Sequence, residues 1–211
     1  MKTINFLIIV VFCIISSSCG APDTAQATLI PKQDPARKET HWTAAPNEIL
    51  LAYQETNLFG DGDTSAVAIV RRKDLSGAEP LPCTLMILKR KGNTFSVTEK
   101  NDKVVDCIYN ENAQNSSDLN ENLEIKPLEI SYTNQRTGGY DTYEFNYSTQ
   151  KNTWYLSQAI STFFEENQNT GENEPFRESV RYPENLHFIT LSDFDPISIE
   201  KEMKSHKSLA N

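Results

Sequence analysis

Histidine and basic residues are both scarce in this chain. Its 211 residues include 3 histidines, and these stand far apart as His41, His187 and His206. Neither a His-x-x-x-His pair nor a clustered Cys/His spacing occurs, so a zinc centre lacks its ligand pattern. There is no Gly-x-Ser-x-Gly elbow and no Ser-x-x-Lys ahead of a helix, which removes support for a serine hydrolase. No glycine-rich phosphate loop is present either. Lysine and arginine total 20 against 29 acids, a formal net charge of −9. That deficit argues against nucleic acid, whose phosphates need basic partners, and against electrostatic binding to anionic head groups. A transmembrane helix needs about 20 apolar residues, and the apolar run Phe6–Ile15 is far shorter. The chain shows no repeat, heptad or long amphipathic helix. With 29 acids, some carboxylate pair always falls at glycosidase spacing, so composition cannot discriminate that chemistry. Asp193-Phe-Asp195 is the one paired-acid motif beside aromatics, and it reads as a strand-end turn and helix cap.

What is present begins with an address. Lys2 precedes the apolar run, and Ser16, Ser17 and Ser18 precede Cys19 and Gly20. A short apolar segment with one leading charge and small residues at its end predicts a secretory signal peptide over 1–18. With cysteine at the cleavage point the segment resembles a lipobox, although Ser16 stands where the motif usually has leucine, which Ile15 supplies one place earlier. The resemblance implies lipidation of Cys19. A diacylglycerol plus an amide-linked chain holds a protein in a bilayer, where one myristoyl chain, at ~0.8 kcal/mol per buried CH₂, is marginal. By analogy with enterobacterial sorting, Gly20 in place of Asp implies the outer membrane of a Gram-negative envelope, facing the periplasm. Loss of residues 1–18 removes one lysine and no acid, leaving the protein one charge more negative than −9.

Cys13 leaves with the signal and Cys19 takes lipid, so Cys83 and Cys107 remain. Two cysteines in an oxidising compartment are expected to pair. The chain-entropy model assigns a loop of this length ~3.5 kcal/mol. The alternative, a catalytic thiol working with His187, lacks the basic cluster that stabilises a thiolate.

Residues 19–45 are polar, spaced by prolines and without apolar periodicity, and predict a flexible tether. Such a segment spans on the order of 30 Å. Within it, His41-Trp42 is an exception that can dock on the domain. From Ile49 the pattern is that of strands. Ile49–Glu55 and Ser65–Arg71 flank a turn at Asn57–Asp63 and predict a hairpin. Cys83–Leu88 is continuously apolar, as in a central strand covered on both faces. Gly92-Asn93 turns the chain, and Thr94–Thr98 alternates with Phe95 and Val97 on its buried face. Val104–Tyr109 predicts a short strand. Residues 110–122 and 165–177 predict polar loops open to a partner. Leu123–Thr133 predicts one strand, with Pro127 forcing an edge or bulge. Asp141–Tyr147 places Tyr143, Phe145 and Tyr147 on one face, answered by Trp154–Ile160. Leu186–Leu191 predicts a last short strand. Asp195-Pro196 predicts the cap of a short helix in the tail 197–211, with Glu200 and Glu202 early and Lys204 and Lys207 late. The expected fold is mainly β: a single antiparallel domain over 46–196, meander- or sandwich-like, of roughly seven or eight strands.

The run Asn57-Leu-Phe-Gly-Asp-Gly-Asp-Thr-Ser65 resembles the Asp-x-Asp-Gly-Asp-Gly turn of FG-GAP and VCBS repeats, which precedes a strand and can hold calcium. The resemblance implies Asn57, Asp61, Asp63 and Ser65 as candidate oxygen donors. Calcium needs six to eight oxygens, and Phe59 fills a ligand position with a side chain that has none. The competing expectation is a hairpin turn that has lost its ion, with Phe59 turned inward and no cofactor. More widely, the chain resembles a group of small, uncharacterised bacterial envelope lipoproteins. The matching segments are the Gly-Asp-Gly turn, Asn101-Asp-Lys-Val-Val-Asp-Cys107, Tyr143-Glu-Phe-Asn-Tyr147 and Trp154-Tyr-Leu156. That group often has a second cysteine after the one matched by Cys107. Here Ile108-Tyr-Asn stands there, which favours Cys83 as the partner. No activity transfers from the group.

The functional expectation is a non-enzymatic envelope module that binds or assembles with another protein. An immunity protein that neutralises a periplasm-acting toxin is the first alternative, and a hydrolase acting on peptidoglycan or glycan is the second. Intact mass spectrometry of protein extracted from membranes is expected to find an acylated Cys19 as the first residue. An unmodified terminus at Met1 would remove the address.

Overall fold

The structure, a computed structural model, describes residues 42–73, 82–107, 118–167 and 169–209. The expectations for the signal peptide, Cys19, Gly20, most of the tether and His41 therefore lie outside the described residues, as do positions 108–109 of the expected strand Val104–Tyr109 and 110–117 of the first polar loop.

Two antiparallel meanders form. The first is β1 (Glu48–Thr56), β2 (Ser65–Arg72), β3 (Cys83–Lys91) and β4 (Thr94–Asn101), hydrogen-bonded in chain order. The second runs β5 (Leu123–Lys126), β6 (Glu129–Arg136), β7 (Gly139–Ser148), β8 (Thr153–Glu166), β9 (Asn173–Arg181) and β10 (Lys207–Leu209), again in chain order. One short helix, α1 (Pro196–Met203), stands between β9 and β10 in sequence. Every neighbour within a sheet is the next strand in sequence, so most pairings are local, while β9 and β10 are joined through the segment that holds α1.

Alternation explains the packing. Val67 and Ile69 of β2, Leu85 and Ile87 of β3, Ile130 and Tyr132 of β6, Tyr143 and Phe145 of β7, and Trp154 and Leu156 of β8 belong to one buried cluster. The two sheets thus bury their inner faces in a common core. Phe194 enters the same core edge-on to Tyr143 and Phe145, with ring centroids at 4.8 and 5.3 Å. Ile199 and Met203 of α1 are buried there too, so the core continues past residue 196. Residues Ser65–Val70 of β2 are all buried. The outward Ala66 and Ala68 lie in a second cluster with Leu88, flanked by Trp42, Tyr53, Met86 and Phe95. Trp42 docks there, with its ring stacked on Tyr53 at 6.1 Å.

Cys83 and Cys107 are bonded, with their Cα atoms 5.4 Å apart. The expected strand Val104–Tyr109 does not form over its described part, residues 104–107. Its backbone is instead satisfied by a side chain: Asn134 Nδ2 donates to the Val104 carbonyl at 2.8 Å and Asn134 Oδ1 accepts from Asp106 N–H at 2.7 Å. The described end of the first polar loop is fastened as well. Leu119 is fully buried, its N–H donates to Leu51 O, and the Asn120 side chain accepts from Tyr53 N–H.

The expectation of Phe95 and Val97 on the core face is overturned by a bulge. Leu88 pairs with Val97 but Ile87 pairs with Glu99, so Thr98 is the extra residue and the alternation inverts across it. Val97 is left 47% exposed and Phe95 joins the outer cluster. Glu99 and Asn101 face inward instead. Trp154 N–H donates to Glu99 Oε1 at 3.0 Å. Asn101 Nδ2 donates to the carbonyls of Leu191 and Phe194 at 2.9 and 3.1 Å, and its Oδ1 accepts from the N–H groups of Lys103 and Val104. A second bulge, at Ser157, separates the pairs Glu144–Gln158 and Phe145–Leu156. At both bulges the extra residue's hydroxyl donates to a facing carbonyl, Thr98 to Ile87 and Ser157 to Glu144.

Other boundaries shift too. Leu123–Thr133 is two strands rather than one, because Pro127 and Leu128 turn the chain, with Leu128 at φ 65°. Residues 165–177 are mostly hairpin rather than loop, since β8 runs to Glu166 and β9 starts at Asn173. Leu186–Leu191 makes a single bridge, Tyr155 to Thr190, in place of a strand. Asp195 caps α1 as expected, its carboxylate accepting from Ile197 N–H. The helix ends at Met203, however, and Lys207 belongs to β10.

Asn101→Ala removes a buried side chain that bonds two carbonyls and two N–H groups. A loss on the order of 3 kcal/mol is expected in chemical denaturation. A change below about 0.5 kcal/mol would show that water replaces those bonds.

Candidate functional site

Strand parity builds a polar layer directly beside the aromatic one. The register sets Tyr132, Tyr143, Ala159 and Val180 abreast across β6 to β9. Two residues along, it sets Asn134, Asp141, Ser161 and Glu178 abreast, with Lys207 of β10 beyond. Cross-strand partners project to the same face, so this second row continues the core face of the sheet. One further step gives Gly139, Phe163, Phe176 and Leu209. At Gly139 a Cβ would stand 2.1 Å from the Thr162 carbonyl, so only glycine permits that close approach.

A cleft of about 320 Å³ opens over these rows, lined among others by Arg136, Tyr140, Ser161, Phe163 and Glu178, and by Glu200 and Lys204 of α1. Asp141 lies beneath it, 1% exposed, in an ion pair with Arg136 Nε. Burial pushes the Asp141 carboxyl above its ordinary range, and the Ser161 hydroxyl and Arg136 offset only part of that. The phenol of Tyr143 is pushed up by burial first and by Asp141 second. At the rim, Lys204 pairs with Glu200 at 3.2 Å and Lys207 with Glu165 at 2.6 Å. The Lys207 ammonium also stands 4.3 Å from the Phe176 ring centroid and 5.2 Å from that of Phe163. Glu178 is 8% exposed.

Beyond the cleft, β8 and β9 outrun their neighbours. The last β7–β8 pair is Gly139–Phe163, whereas β8–β9 pairing continues to Glu166–Asn173. β10 stops at Leu209, opposite Phe176. The hairpin therefore extends roughly 10 Å past the sheet, at about 3.4 Å per residue. Phe164 is 57% exposed on it and Leu209 60% exposed beside it. Positions 164–176 include Glu165, Glu166, Glu172 and Glu174 and no lysine or arginine. A separate aromatic group, Tyr155, Tyr182 and Phe188, packs ring to ring with the Lys151 ammonium 3.5 Å from the Phe188 centroid.

The four calcium candidates do not gather as a ligand set. Gly60 and Gly62 carry the turn at φ 68° and 89°. The cation that Asp61 meets is the Lys89 ammonium, at 2.5 Å. That hydrogen bond, aided by Asp63 N–H, holds the Asp61 carboxyl below its ordinary range. Ser65 is fully buried, donating to Thr56 O and accepting from Leu58 N–H. Asn57 Oδ1 is buried and accepts no hydrogen bond. Phe59 turns inward, edge-on to Tyr147 at 4.9 Å. Among the described residues, no three His, Cys, Asp or Glu side chains converge as a metal site would require.

The other sequence candidates take structural places. Asp193 accepts from the Thr190 hydroxyl. Asp195 caps α1 and pairs with Lys103 at 2.8 Å, and that bond lowers its carboxyl. His187 and His206 are exposed. Cys107 is in the disulfide and cannot serve His187 as a thiol.

Sequence reasoning passed over Asp141, Ser161 and Glu178. A signal was available: Asp141 is two residues before Tyr143, and Glu178 two before Val180, so period two places both on the core face. No family model matches the chain, and no curated protein is significantly similar to it.

Asp141→Asn tests the electrostatics of the layer. A carboxyl whose folded value lies above its unfolded 3.8 contributes most at low pH. Its contribution falls as pH rises through the folded value. Thermal melts are expected to show Asp141→Asn gaining on the native protein from below pH 3.8 upward, then holding a constant lead. A native protein more stable than the variant at neutral pH would contradict the sign.

Proposed function

We propose that this chain is a lipid-anchored module of the bacterial envelope that acts by binding another protein rather than by turning over a substrate. The observation that carries this is the β8–β9 hairpin, which projects past its sheet with Phe164 57% exposed on a ribbon rich in glutamate. Exposed aromatics on a projecting element mark interaction surfaces. The acidic ribbon repels anionic head groups and favours a basic protein surface. The sequence of residues 1–20 supports the setting, with Cys19 carrying the anchor and the domain facing the periplasm. Neutralising a toxin is the more specific form of the same reading: a projecting hairpin suits insertion into an enzyme's cleft and needs no chemistry of its own.

Glycan hydrolysis requires two carboxyl groups flanking one bond. The cleft's Glu200 and Glu165 are already ion-paired and Asp141 lies under the surface, so Glu178 has no second unpaired carboxyl of the cleft to work with. The hydrolase alternative therefore has less support than binding.

Crosslinking in living cells, with capture of the full-length chain, separates these readings. The native protein is expected to bring down one specific envelope or toxin protein. Phe164→Arg is expected to reduce that recovery at least tenfold while leaving the melting temperature unchanged. Equal recovery with the variant, or no envelope or toxin partner at all, would count against a binding role for the hairpin.

A further inference from the structure

Four acids surround the cleft between α1 and the six-stranded sheet, and three have an internal cation. Asp141 pairs with Arg136, Glu200 with Lys204 and Glu165 with Lys207. Glu178 has none. It is 8% exposed, it lines the cleft, and among the described residues its side chain makes no ion pair or hydrogen bond. Its carboxylate opens to the cleft and to no donor among the described residues, and its backbone is held in place by strand pairing on both sides, to Ser161 of β8 and Lys207 of β10. We infer that the cleft is a receptor for one organic cation, an alkylammonium or guanidinium group, with Glu178 as its counter-ion.

The surroundings fit that charge. Phe163 forms a wall of the cleft, and the Phe163 and Phe176 rings already take an ammonium, that of Lys207, as aromatic faces do. The Ser161 hydroxyl stands beside Glu178 in the same row, offering an acceptor lone pair to an N–H donor. An anion is disfavoured because Arg136 and Lys204 are already neutralised by acids. A divalent metal is disfavoured because no three acids converge. The volume of about 320 Å³ is at the small end for ligand sites, room for one side chain rather than a folded segment. The inference rests on the proposed binding role: the cation is a lysine or arginine side chain of the partner, received beside the acidic hairpin. A free amine shares the same chemistry and is separated by the test.

The full-length protein in detergent is titrated by calorimetry with blocked Ala-Lys-Ala, blocked Ala-Arg-Ala, n-butylammonium and, as neutral control, blocked Ala-Gln-Ala. Binding of a cationic peptide but not of the glutamine peptide is expected. Glu178→Gln should weaken that binding at least tenfold, and Glu124→Gln, an exposed acid of β5 outside the cleft lining, by less than twofold. Butylammonium binding as tightly as the lysine peptide would make a free amine the ligand and uphold the cation site. No cation binding, or equal binding by Glu178→Gln, would each overturn it. Capture of the Phe164-dependent partner is scored separately. Its persistence without cation binding would sink the cleft alone, and cation binding without any captured partner would sink the hairpin's role alone.

Discussion

One extra residue in β4 decides how the two sheets are joined. Without the bulge at Thr98, regular alternation would put Val97, Glu99 and Asn101 on one face, so that turning the two polar residues to the core would bring Val97 with them. With it, both polar side chains face the second sheet. Glu99 accepts from the backbone of Trp154, and Asn101 holds the carbonyls of Leu191 and Phe194 together with the N–H groups that follow β4. Phe194, positioned by that contact, fills the space between Tyr143 and Phe145. A backbone irregularity thus becomes the anchor of a core aromatic, and of the C-terminal segment that begins there. The Thr98 hydroxyl bonded to Ile87 O shows how the bulge itself is satisfied.

Asparagine does the same work at other joints. Asn134 closes the backbone around Val104 and Asp106, next to the disulfide at Cys107. Asn122 donates to Thr133 O, and Asn120 accepts from β1. An amide side chain carries both donors and an acceptor, so a single residue can pair with the two kinds of group that a non-repetitive backbone leaves over. The described parts of the passage between the sheets need such groups because their backbone has no ladder. The cleft follows from related logic. Strand parity carries the core face outward until the hydrophobic supply ends, and the next row is Asp141, Ser161 and Glu178. Charge is tolerated there because α1 and the arginine and lysine side chains close over it from one side only.

Much of the architecture was legible in the residue pattern. Hairpin β1–β2, the turn at Gly92-Asn93, the aromatic face of β7, the answering Trp154 segment and the Asp195 cap all follow from local signals. Among the expectations that failed, four show the causes. Val97 was misplaced because a bulge leaves no mark in hydrophobicity. Val104–Tyr109 looks like a strand by composition, but over its described residues it has no ladder partner, and the side chains of Asn101 and Asn134 bond its backbone instead. Pro127 was read as forcing an edge or a bulge in one strand, whereas Leu128 takes a left-handed conformation and reverses the chain. β9 was missed because acids interrupt its inward face, where Glu174 and Glu178 alternate with Phe176 and Val180, and so hide the apolar period.

By itself, the order of residues determined the antiparallel β class, the hairpins and the pairing of the two available cysteines, because each depends on near neighbours or on the compartment implied by residues 1–20. Tertiary structure alone decided which polar residues are buried. Asn101, Asn134, Asp141 and Glu178 are buried and Glu99 is half-buried only because a facing sheet or helix removes water from around them. Alternation can name the face, as at Asp141 and Glu178, but burial of a charge or an amide is a property of what lies opposite it.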